Sequence, residues 1–113
     1  MRTAIKSRPR LKTRKPAVDP MIAASEAAAG LLKAMASPVR LRMLCLLAED
    51  ELPVGEIAER LGIRDQATSQ QLAQLRLEGL IAARKSAQRV YYRLASPAIE
   101  RLLGTLRDIY CPE

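Results

Sequence analysis

Cys45 and Cys111 are the only soft nucleophiles in this chain, whose 113 residues include two cysteines and no histidine. A thiolate attacks a sulfane or disulfide sulfur, and a second nearby thiol resolves the mixed species, so two cysteines are the minimum set for such a reaction. A blander reading stays open beside it. Cysteine often behaves as a small hydrophobe, which would make Cys45 part of an apolar helix and Cys111 incidental near the chain end. The lack of histidine excludes His-based triads, the HExxH metalloprotease pair and imidazole metal sites. With no Gly-rich phosphate loop and no clustered acid pair in a plausible cleft, the chain reads as a non-enzyme with no cofactor and no metal centre.

A second set of residues is suited to base edges. Gln66, Thr68, Ser69, Gln70, Gln71 and Gln74 carry amides and hydroxyls that both donate and accept, as the major groove's patterns require. A solvated, Gln-rich helix face would have the same composition. What favours DNA reading is the position of the run, just after a tight turn and just before a basic segment. In that segment Arg84, Lys85 and Arg89 could clamp phosphates, although exposed hairpins also carry such residues to discourage edge pairing.

These residues need elements to position them. Met21, Ala24, Ala28, Leu31, Leu32 and Met35 recur at helical steps and predict one helix from Met21. Ser37 and Pro38 read as an N-cap and first helical residue, opening a second, almost wholly apolar helix to about Ala48. After the acidic break at Glu49, Asp50 and Glu51, Leu52 and Pro53 suit a short extended segment. A third helix, about Val54 to Leu61, buries Ile57 and Leu61 and ends at Gly62. Ile63 to Asp65 connect it to a fourth, about Gln66 to Glu78, anchored by Ala67, Leu72 and Leu75 and capped by Asp65. Two helices joined by so short a turn make a helix-turn-helix. Strand preference follows from Leu80 to Arg84 and from Val90 to Leu94, giving a hairpin with Ser86, Ala87 and Gln88 between. Ser96 and Pro97 open a last helix with a stripe of Ile99, Leu102, Leu103, Leu106, Ile109 and Tyr110.

Charge is uneven along the chain. Of 19 cations, seven lie before Pro16 with no acid among them; the remaining 12 are matched by 12 acids, so the net +7 belongs to the N-terminus. Residues 1–20, with three prolines, read as a disordered basic tail, either solvated or touching phosphates, and residues 21–113 as the folded domain. No apolar run approaches a membrane span, and the chain reads as cytoplasmic. A core this small makes dimerisation an expected source of stability.

The runs Leu32 to Leu41 (LKAMASPVRL), Val54 to Ala58 (VGEIA), Ser69 to Leu72 (SQQL) and Leu75 to Leu80 (LRLEGL) resemble the winged-helix repressors of the ArsR/SmtB family. The resemblance spans roughly Ala27 to Cys111. It implies a mainly α winged helix-turn-helix with a small hairpin, binding double-stranded operator DNA as a homodimer. Leu31 and the stripe from Ile99 to Tyr110 would form the dimer interface, presenting two copies of the reading helix. The metal-sensing members use a Cys-x-Cys motif where this chain has Pro53 and Gly55, and histidines that it lacks. Cys45 and Cys111, with the ending Ile109-Tyr110-Cys111-Pro112, resemble instead the persulfide-responsive BigR/SqrR subgroup. That likeness implies that reactive sulfur species link the two thiols and release the DNA. A thiol-based arsenite or metal sensor of the same fold is an alternative, though one protomer offers no third sulfur. A ligand-independent architectural DNA-binding protein is another.

Overall fold

The computed structural model describes residues 19–112. The basic tail therefore lies outside the described residues up to position 18, and its last two residues, Asp19 and Pro20, open the first helix. The chain divides after Leu32 into two compact units.

In the first unit, one helix was expected, but two form: α1 (Pro20–Ala23) and α2 (Ser25–Met35), the latter running on into the second unit. Asp19 caps α1 by accepting from the Met21 N–H at 2.7 Å. The break comes where the Ser25 hydroxyl donates to the Ile22 carbonyl at 2.8 Å, a local bond that competes with the helical ladder.

The second unit contains α3 (Pro38–Glu49), β1 (Leu52–Pro53), α4 (Val54–Leu61), α5 (Asp65–Leu77), β2 (Ile81–Ser86), β3 (Arg89–Leu94) and α6 (Pro97–Tyr110). Ser37 and Ser96 cap α3 and α6, accepting from the N–H groups of Arg40 and Ala98, and each cap stabilises its helix by about 1 kcal/mol. Gly62 ends α4 at φ +69, a left-handed conformation that glycine adopts without strain, and the turn to α5 is thereby kept short. Asp65 does not cap α5. Arg64 holds that position without a side-chain bond, and Asp65 sits in the first helical turn, where its charge favours the positive end of the helix dipole.

The sheet is antiparallel in the order β1-β3-β2, with Leu52 opposite Tyr92 and Ile81 opposite Leu94. Its hairpin is tighter than expected. Ser86 pairs with Arg89, leaving a two-residue turn in which Ala87 takes φ +57. Met43 and Leu44 of α3, Ile57 of α4, and Leu72 and Leu75 of α5 are fully buried, each worth about 2 kcal/mol relative to exposure. Truncating Leu72 to alanine would cost about 2–5 kcal/mol, because α5 loses its central anchor. Ala67, expected beside it, is exposed. The anchor in its place is Thr68.

Candidate functional site

The polar run on α5 divides into two sides. Gln66, Ser69, Gln70 and Gln74 are exposed along one face, whereas Thr68 is fully buried and does not belong to that face. Its hydroxyl donates to the Arg64 carbonyl at 2.8 Å, which satisfies the only polar side chain among the buried residues described. The spacing of Thr68, Leu72 and Leu75 at i, i+4 and i+7 is the signal that sets the inner stripe. Gln71 is half-buried and accepts from the Arg40 Nε at 3.3 Å, so its amide is already engaged. Gln74 donates to Glu78 at 2.7 Å. That bond, with the charge of Arg40 beside it, holds the Glu78 carboxyl below the usual carboxylate range against the opposing effect of desolvation.

On the hairpin, Arg84 differs from its neighbours. Its Nε donates to both oxygens of Glu51 at 2.9 Å, its Nη2 reaches Glu51 at 2.8 Å, and its guanidinium lies 5.1 Å from the Tyr91 ring centroid. Arg93 approaches the same carboxylate at 3.7 Å. The hydrogen bond from Arg84 depresses the Glu51 carboxyl, opposed by desolvation and helped by both cations. Arg84 thus links the hairpin to the segment before β1, with half of its side chain still exposed. Lys85 and Arg89 are exposed at the tip, and among the described residues neither forms an ion pair.

The stripe on α6 also divides. Ile99 and Leu103 are 2% and 3% exposed and belong to the protomer's own core, because this half of α6 packs against α3 and β3. Leu102 is half-buried, and Leu31 on α2 is likewise. Leu106 is exposed, and Ile109 and Tyr110 stand 60% and 77% exposed, an apolar surface left open among the described residues.

The two cysteines come together. Cys45 on α3 and Cys111, the residue capping the C-terminus of α6, line one cavity of about 230 Å³ with Leu41, Leu103, Leu106, Arg107 and Tyr110. Both thiols are free, Cys45 half-buried and Cys111 exposed. Cys111 is held by its N–H, which donates to the Arg107 carbonyl at 2.7 Å. Arg107 precedes Cys111 by one helical turn, a spacing that sequence reasoning passed over. The contacts of Arg40, Glu51 and Tyr91 were missed as well, since their partners are distant in the chain. Among the described residues no group of three or more Cys, Asp or Glu side chains is arranged to hold a metal ion, and no helix is long and apolar enough to cross a membrane.

A short helix pair followed by a basic hairpin that pairs with β1 defines a winged helix-turn-helix of the kind found in DNA-binding regulators. Residues 37–83 match the family described as "Bacterial regulatory protein, arsR family", and the chain belongs to it. It is 47% identical over 81 residues to the transcriptional activator HlyU of Vibrio cholerae, covering 72% of this chain and 75% of that protein. The structure of reduced HlyU matches with a TM-score of 0.75 at 45% identity, over 80% of this chain and 96% of that one. The transcriptional repressor BigR of Xylella fastidiosa matches with a TM-score of 0.77 at 35% identity, over 82% and 95%. A homodimeric winged helix-turn-helix domain of Mycobacterium bovis, a possible ArsR-family regulator, matches with a TM-score of 0.71 at 33% identity, over 82% and 86%.

Proposed function

We propose that the protein is a homodimeric transcriptional repressor that reads its operator with α5 and releases it when reactive sulfur species link Cys45 to Cys111. The observation that carries this reading is the shared cavity: two thiols distant in the chain line one small space between α3 and the end of α6. The likeness to BigR, described as a repressor, and to a HlyU solved in a form described as reduced, supports it.

The chemistry balances with an organic trisulfide, RSSSR, as oxidant. The Cys45 thiolate attacks the central sulfur, forming one S–S bond and expelling RS⁻. The Cys111 thiolate then attacks that same sulfur and expels the second RS⁻, leaving a single sulfur between the two residues. Two thiols lose two electrons together, and the trisulfide becomes two RSH. The apolar walls of Leu41, Leu103 and Leu106 accommodate the uncharged bridge.

The consequence reaches DNA through α6. Leu106 and Tyr110 line the cavity and also belong to the apolar surface proposed to meet the partner's α6, so a bridge pulls on the dimer contact that spaces the two copies of α5. The mycobacterial domain, described as homodimeric, supports pairing of two copies. Lys85 and Arg89 would hold phosphates beside each half-site.

The test uses a duplex selected by the reduced protein from a randomised pool. Binding is measured by fluorescence anisotropy before and after an organic trisulfide, for the parent and for Cys45→Ser and Cys111→Ser. Both variants should bind and fail to respond. Release that persists in either variant, or an intact mass showing no sulfur inserted in the parent, would refute the reading. A reporter placed behind the selected duplex fixes the sign of regulation, repression being the expected result.

A further inference from the structure

Arg40 joins more of the reading apparatus than any other side chain described, yet it belongs neither to the exposed face of α5 nor to the thiol cavity. It is the third helical residue of α3, and its side chain is 18% exposed. Its Nη1 donates to the Ala34 carbonyl at 2.6 Å, near the C-terminus of α2, where carbonyls lack helical partners. Its Nε donates to Gln71 Oε1 at 3.3 Å, in the middle of α5. Nη1 also meets Glu78 Oε1 at 3.3 Å, at the C-cap of α5, while Gln74 holds the other oxygen of that carboxylate. One guanidinium therefore ties the end of α2 and the start of α3 to two turns of α5, along the flank beside its exposed face.

Leu72 and Leu75 set which face of α5 turns inward, but burial is non-directional and defines the rotational angle less sharply than directional bonds do. With side chains at a radius of about 5–6 Å, a rotation of about 20° moves their tips by about 2 Å, well outside hydrogen-bonding tolerance. Directional bonds from Arg40 to Gln71 and Glu78 oppose that rotation. We infer that Arg40 is a positioning residue that fixes the rotational setting of α5 and thereby the sequence selectivity of DNA binding. The inference rests on α5 being the reading helix, as proposed above. A lysine cannot replace it, since one ammonium lacks the planar fork that serves partners on separate elements.

The experiment compares affinities for the selected duplex and for a scrambled duplex of equal length and salt, all with reduced protein. Arg40→Lys should weaken the selected duplex by about tenfold, leave the scrambled duplex within about twofold, and remain folded by thermal melting. Glu78→Ala removes one arm from the exposed side and should weaken the selected duplex by about threefold. The double variant should lose less than the product of the two, because the arm is shared. Equal losses on both duplexes, unchanged selectivity, or a loss explained by the unfolded fraction would overturn the inference. Gln70→Ala keeps the two ideas apart. If Gln70→Ala abolishes selectivity while Arg40→Lys does not, only the positioning role falls. If Gln70→Ala, Ser69→Ala and Gln74→Ala all leave selectivity intact, the reading by α5 falls and takes the positioning role with it.

Discussion

Cys45 and Cys111 line the same cavity although 66 residues separate them in the chain. Cys45 is fixed within α3, while Cys111 ends α6 and is held by one backbone bond to Arg107. A bridge between them would thus join a rigid element to a helix terminus, and the terminus would move. The apolar surface next to that terminus is where the first prediction applies.

Ile109→Asp places a charge on the exposed end of α6 without entering the protomer core. Light scattering should show the proposed dimer for the parent and a monomer for the variant at the same concentration. Affinity for the selected duplex should fall by about a hundredfold, because two linked half-site contacts become one. A dimer that persists would place the interface elsewhere.

The cations of the wing are expected to separate by role. Lys85→Ala and Arg89→Ala should each lower the slope of log affinity against log salt by about 1 per protomer, with little change in stability. Arg84→Ala should leave that slope nearly unchanged and loosen the hairpin, since its charge is already committed to Glu51. Titrations at several salt concentrations, with wing amide exchange as the second readout, distinguish the two outcomes.

Acid should loosen the wing through Glu51. Its folded carboxyl lies below the ordinary value of 4.5, chiefly through the Arg84 hydrogen bond, so the stabilisation is complete above that value. It is lost as pH falls through the lower folded value. Wing amide shifts should therefore be flat near neutrality and change only below about 4.5. In Glu51→Gln this acid transition should disappear.

Thr68→Val keeps the buried shape and removes the hydroxyl bonded to Arg64. Stability measured by denaturant should fall by about 1 kcal/mol. Selectivity between the selected and scrambled duplexes should stay as in the parent, because the side chain points into the core. A loss of selectivity without a loss of stability would restore Thr68 to the reading face.

Local signals were legible in the sequence. The Ser37-Pro38 and Ser96-Pro97 caps, the glycine ending α4 and the short turn before α5 each depend on a few adjacent residues, and the structure has them where expected. Facing was harder to read. A polar run does not declare which member turns inward, and Thr68 did so because Leu72 and Leu75 fix the stripe. An apolar stripe likewise did not tell that Ile99 and Leu103 would serve the protomer itself while Ile109 stays bare. Ion pairs between distant residues were invisible: Arg84 meets Glu51 across 33 positions, and Arg40 meets Glu78 across 38.

Pro53 has one more effect on the molecule. It forms half of β1, an edge strand of the sheet, and it has no N–H to offer a strand arriving from outside. With only two residues and one of them sterile as a donor, that border cannot template fibril-like stacking. The other border of the sheet is β2, where the charged side chains of Arg84 and Lys85 oppose the addition of a strand.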